Sequence, residues 1–166
     1  MVSVTLDTNL VDDKSLLATA LAAGFDVAHT TVTDRELAGS GIEAVEGRPA
    51  QLFETGIVGE GVVGTFVPGG NDQSLNLEQV LQVISSGSFP TAERRKHLSL
   101  GERRQLRDAM ILCTHIREGR DIFVTNDRKG FIDNGHRELL QQKFGIKILI
   151  RDEFVQLCSA DPGKIV

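Results

Sequence analysis

Four acidic side chains occur in settings that could serve chemistry: Asp7 in VTLDTNL, Glu36 in TTVTDRELAGS, Asp108 in LRDAMILC and Asp127 in FVTNDRKGF. Each has an ordinary explanation when taken alone. Asp7 and Asn9 would make a turn, because short polar side chains fold back onto their own backbone. Asp127 would cap a helical turn over 128–131. Thr33 and Glu36 have the spacing of a capping box. Asp108 would pair with Arg104 or Arg107 of the same helix. That helix places Leu106, Ala109, Met110 and Cys113 on one stripe, with Ile111 and Leu112 flanking Asp108 on the other side. A helix apolar nearly all round is largely buried, and a buried carboxylate needs a partner or a metal.

Together the acids read differently. Carboxylates packed close to one another cannot all stay ionised without a counter-charge. A set of oxygen-only ligands suits Mg²⁺ or Mn²⁺. One or two such ions would neutralise the cluster, activate a water and stabilise charge on a phosphodiester. Thr8, Asn9, Thr125 and Asn126, which flank Asp7 and Asp127, would then orient carboxylates and water.

The elements that must position these acids alternate along the chain. Strands are expected at 2–6, 26–30, 121–125 and 146–150. Helices are expected at 13–25, 31–40, 75–86, 100–119, 136–144 and 152–158, from apolar positions recurring at helical spacing and from glycines at their ends. The strands are short, apolar and without a period of two, which favours a parallel sheet covered by helices on both faces. In such α/β sheets ligands gather at the carboxyl ends of the strands. Asp7 and Asp127 follow two of those strands, and Glu36 opens a helix just after a third. One domain spanning 1–158 is expected, with a Gly-rich β-hairpin insert around 55–70 and a C-terminal tail at 159–166. GEGVVG at 59–64 matches a dinucleotide-binding pattern, but TFVPGG follows it, and no helix N-terminus can start there to hold a pyrophosphate.

Composition narrows the function. The chain has 166 residues, 40% of them hydrophobic and 25% charged, enough for one soluble domain with a core. With no Trp and no Tyr, aromatic base-stacking platforms are not expected. No apolar run approaches the ~18 residues of a membrane span, and a cytoplasmic location is the expectation. Cys113 and Cys158 form no metal or redox spacing. The four histidines are scattered and read as packing or surface residues. Net charge is −5, unevenly spread: residues 1–80 hold 3 basic and 12 acidic side chains, and residues 81–166 hold 15 and 11. Ten of the 18 basic residues fall between Arg94 and Lys129, so a basic flank adjoins an acidic pole.

VTLDTNL, TTVTDRELAGS, LRDAMILCTHIREGRDIFVTNDRKGFI and GIKILIRDEFVQL together resemble the PIN-domain nucleases, over about residues 1–40 and 100–157. The family pattern is an acid after strand one, an acid opening the next helix, a helical Asp, and a T-x-D-x-x-x-F step after a later strand. These fall on Asp7, Glu36, Asp108 and Asp127, with Phe131 closing the last motif. The resemblance implies a PIN-like, Rossmann-like three-layer fold and a Mg²⁺- or Mn²⁺-dependent endoribonuclease, with these acids as catalytic metal ligands. It also implies RNA as partner, an antitoxin protein if the chain is a VapC-type toxin, a homodimer, and no membrane. Arg103, Arg104, Arg107, Arg128 and Lys129 would contact the RNA backbone. The 71 residues between Glu36 and Asp108 make a longer middle than the compact toxin-type members have.

Other classes fit less well. A dehalogenase-type Mg²⁺-dependent phosphatase would want an Asp where Asn9 stands. A receiver domain would want its acid pair on strand one, whereas Asp12 and Asp13 come five residues late. A non-catalytic PIN-like RNA- or protein-binding module would have lost acids that are all present here.

Overall fold

The computed structural model describes residues 1–42, 47–56, 66–67 and 69–160. Strand β1 (Ser3–Leu6) leads to α1 (Lys14–Ala22), β2 (Asp26–Thr30) and α2 (Thr31–Gly39). Short strands β3 (Ala50–Leu52), β4 (Glu54–Thr55) and β5 (Phe66–Val67) precede α3 (Asn71–Ile84). After a 3₁₀ turn at Ala92–His97 come α4 (Leu100–Arg117), β6 (Ile122–Val124), the one-turn helix α5 (Arg128–Phe131), α6 (His136–Phe144), β7 (Lys147–Leu149) and α7 (Arg151–Ser159).

The fold is α/β: five parallel strands in the order β3-β2-β1-β6-β7, with helices packed around them in a Rossmann-like arrangement. All four expected strands are in the sheet. The fifth, β3, escaped the sequence reading because AQL is short, largely exposed and at the sheet edge, where no apolar run is required. The expected helices are present within a few residues of their ends. The largest difference is α3, which begins at Asn71 rather than 75.

Alternate residues of the strands feed two cores. Ile122 and Val124 join Val4, Leu6, Leu16, Ala20 and Phe154 on the α1/α7 face. Phe123 and Ile148 join Leu81, Met110, Ile111, Leu112 and Leu140 on the α3/α4/α6 face. Strands buried on both faces have no polar side to alternate, which explains their uniform apolar character. His115 of α4 lies in this second core. Its Nδ1 is 2.9 Å from the Thr5 hydroxyl, and burial, with Arg120 adding, lowers its pKa to about 3, so the ring stays neutral.

Local capping sets the helix starts. Asp13 accepts from the Leu16 amide at 2.9 Å, and Ser99 with Glu102 closes a capping box on α4. The box expected at Thr33 and Glu36 does not form. Thr30, the last residue of β2, is the N-cap of α2, so the helix starts at Thr31, where its expected range of 31–40 begins, and Thr33 is already its third residue. Glu36 is thereby released from capping. Around the Gly-rich segment, Phe66–Val67 pairs in parallel with Glu54–Thr55, whereas the arms of a hairpin would be antiparallel. The Gly-Glu-Gly turn and the whole of GEGVVG lie outside the described residues, as does 161–166 of the expected tail. Among the described residues no helix is long and apolar enough to cross a membrane.

Candidate active site

The sheet order reverses direction at β1. The chain moves outward through β2 and β3, then returns to place β6 on the other side of β1. The carboxyl ends of β1 and β6 flank the crevice that α/β sheets use for ligands. Asp7 is the first residue past β1. Its amide donates to the Val124 carbonyl at 3.0 Å, which fixes it against the tip of β6.

The Asp7 carboxylate is 2% exposed and held on both oxygens. Oδ1 accepts from the Thr8 amide at 2.7 Å; Oδ2 accepts from the Thr125 hydroxyl at 2.6 Å and from Asn9 Nδ2 at 2.9 Å. Thr125 Oγ1 in turn accepts from the Asp127 amide at 2.9 Å, and Asn9 Oδ1 from the Asn126 amide at 3.1 Å. All four polar neighbours singled out in the sequence therefore lie in one network joining the two strand ends.

Glu36 faces the same crevice from α2. Its Oε2 accepts from the Thr8 hydroxyl at 2.6 Å, so adjacent groups of one residue touch Asp7 and Glu36. Thr33, which the sequence marked only as a cap, is fully buried with its hydroxyl 3.2 Å from that of Thr8. Asp34 points elsewhere: it meets His29 Nε2 at 3.0 Å, Gln51 at 2.6 Å and Arg48 at 3.4 Å. Asp127 is the N-cap of α5, as its ordinary reading expected, accepting from the Gly130 amide at 3.1 Å. Asp108, half-buried on α4, has no hydrogen bond or ion pair to any described residue; the pairing with Arg104 or Arg107 that was its ordinary alternative is not made.

Asp7, Glu36, Asp108 and Asp127 line one cleft of about 640 Å³, together with Thr8, Asn9, Leu37, Ser40, Ile42 and Arg104. A second trough of about 510 Å³ shares Arg104, Asp108 and Asp127 with it and is lined further by Ser99, Gln105, Lys129 and Gly130. Of the five cationic residues expected along RNA, Arg104 and Lys129 line these spaces. Arg103 Nε donates to the Leu98 carbonyl at 3.4 Å, and Arg128 lies 3.5 Å from Asp133. Leu37, Ser40 and Ile42 carried no chemical signal in the sequence; only the fold turns the end of α2 into a wall.

The charges interact. Burial raises the pKa of Asp108 to about 9, with the charges of Asp7, Glu36 and Asp127 adding and Arg104 opposing. Burial likewise raises Asp7 to about 6; the hydrogen bonds from Thr125 and Thr8 pull the other way, and the charges of Glu36 and Asp127 add to the rise. Such a cleft favours a cation, and its all-oxygen donor set suits a hard divalent one. Among the described residues, no three side chains of these types converge closely enough to form a ready-made metal cage. Holding an ion would therefore require Glu36, Asp108 or Asp127 to turn toward the fixed Asp7.

No protein-family model and no curated protein matches the chain. Fold and site geometry are thus the grounds for a functional reading.

Proposed function

We propose that the chain is a PIN-type, metal-dependent ribonuclease that cleaves phosphodiester bonds in the cleft of Asp7, Glu36, Asp108 and Asp127. The observation that carries the reading is their meeting: acids from four separate segments share one cleft at the switch point of a parallel sheet. Asp7, Glu36, Asp108 and Asp127 would hold the ion, which supplies the counter-charge and Lewis acidity that phosphodiester hydrolysis needs.

The residues of the chain divide the remaining work. Thr125, Asn9 and the Thr8 amide hold Asp7 in one orientation, while the Thr8 hydroxyl holds Glu36. Arg104 and Lys129 supply positive charge at the border and in the second trough, where a polyanion would lie. The acidic cleft therefore has a local attraction for phosphate despite a net charge of −5. A partner antitoxin would fit the VapC-type form of this reading.

The test is to titrate the wild-type protein with Mn²⁺ while following thermal unfolding, and to assay cleavage of single-stranded RNA in Mn²⁺ and in EDTA. A ligand that binds only the native state raises its melting temperature by mass action. We expect stabilisation and cleavage by wild type, and neither by Asp7→Asn. A protein that binds RNA but shows no response to Mn²⁺ would instead be a non-catalytic module.

A further inference from the structure

The geometry points to His136 as a positioning residue that holds the Asp127 carboxylate in place through the backbone of Gly130. This rests on the nuclease reading above, in which Asp127 is a ligand. His136 is the first residue of α6 and 4% exposed. Its Nδ1 lies 2.8 Å from the Gly130 carbonyl and its Nε2 3.1 Å from the Ser86 hydroxyl. A carbonyl can only accept, so Nδ1 carries a proton, and in the neutral ring Nε2 is left to accept from Ser86.

Gly130 is thus gripped from both sides. Its amide donates to Asp127 Oδ1 and its carbonyl accepts from His136. The carboxylate folds so closely over Gly130 that a Cβ there would lie 2.4 Å from Asp127 Oδ2. Phe131, next in the chain, is fully buried against Phe123 with ring centroids 5.2 Å apart. The turn carrying Asp127 is therefore anchored in the core by Phe131 and tied to the end of α3 by His136.

The backbone around this contact is unusual. Among the described residues, two that are not glycine have positive φ: Ser86 at 52° and Asn134 at 59°. Ser86 is the partner of His136, and Asn134 stands two residues before it, followed by Gly135 at 78°. The left-handed region disfavours side chains, and such conformations persist where the surroundings impose them. Here they bring α6 and the end of α3 together on one imidazole. The end of α3 contributes Ile84 to the same trough that Lys129 and Gly130 line.

His136→Asn and His136→Gln separate this role from a merely structural one. The Asn amide nitrogen can replace Nδ1 and reach the Gly130 carbonyl, whereas the Gln amide replaces Nε2 and reaches Ser86. Both variants lower the metal-free melting temperature. The deciding readout is the Mn²⁺ concentration that gives half of the maximal thermal stabilisation, checked against that for half-maximal cleavage. We expect Asn to stay near wild type and Gln to need about tenfold more Mn²⁺, as when an outer-shell partner of a ligand is lost. Equal midpoints for the two variants overturn the assignment while leaving the nuclease reading intact. No Mn²⁺ response in wild type overturns both. If Gln does not fold, His136→Ala takes its place: it loses the Gly130 contact as Gln does, so its midpoint should rise about tenfold while that of Asn stays near wild type, and equal midpoints for Ala and Asn overturn the assignment.

Discussion

Glu36 and Asp34 sit two positions apart on one helix and face different surroundings. Two residues are 200° apart around an α-helix, so one can face the cleft while the other faces away. Asp34 is occupied by His29, Gln51 and Arg48, which leaves Glu36 as the acid α2 contributes. Glu36→Gln keeps an acceptor for Thr8 and removes the charge. Folding free energy should stay within about 1 kcal/mol of wild type, the scale of one hydrogen bond. Metal-dependent cleavage should fall about 100-fold or more, the upper range for losing even an indirect partner of a metal. Near-normal cleavage would remove Glu36 from the site. Asp108 gives a second test at this scale. Asp108 and Asp7 titrate near 3.8 when unfolded and at about 9 and about 6 when folded. Between those values the folded chain binds more protons, so stability in EDTA should fall as pH rises through that window. Asp108→Asn has no proton to lose there. Its melting temperature should decline less than that of wild type from about pH 5 to about pH 9; parallel declines would contradict the burial of this charge.

At the scale of elements, the site depends on two strand tips and one tight turn. Parallel pairing aligns Leu6 of β1 with Val124 of β6, so the residues that follow each strand emerge side by side. That register brings the Thr125 hydroxyl to Asp7. The turn after β6 is the more fragile part, because Asp127 folds over Gly130. Gly130→Ala puts a Cβ 2.4 Å from Asp127 Oδ2 and 3.2 Å from Cγ. The carboxylate is a mobile end and can swing away, so the fold should survive at a cost of about 1 kcal/mol, the worth of a lost cap. Metal-dependent cleavage should drop sharply in the same variant. Thermal unfolding and the cleavage assay measure both quantities, and a variant with full activity would show that the orientation of Asp127 does not matter.

Across the whole molecule the distribution of charge matters more than its sum. Residues 81–166 carry the basic excess, and α4 and the turn after β6 bring part of it, Arg104 and Lys129, to the acidic cleft. If these two contact phosphates, the double variant Arg104→Ala/Lys129→Ala should weaken binding of single-stranded RNA and flatten its dependence on salt. The slope of log affinity against log salt should shrink by about 1.4, at about 0.7 per phosphate contact on a single strand. The measurement uses Asp7→Asn as background to prevent cutting. An unchanged slope would place the RNA elsewhere.

The α/β class was legible because strands buried on both faces must be uniformly apolar and helices must show their own period, and VSVTL, DVAHT, DIFVT and IKILI did so. Asp7, Asp108 and Asp127 were visible because each interrupts or follows such a run, and Glu36 because it opens a helix just after a strand. The expected helix at 31–40 begins where α2 does, but the sequence alone left a capping box at Thr33 standing beside it. A cap at Thr33 and a cap at Thr30 are both sound local chemistry, and the strand that ends at Thr30 decided between them. Nor could the sequence show that Asp108 lacks an arginine partner, that AQL joins the sheet edge, or that His136 holds the turn of Asp127. These outcomes depend on contacts between residues far apart in the chain, whose partners are set by strand order, register and helix phase. Local periodicity determines which elements form; only their packing determines which side chains meet.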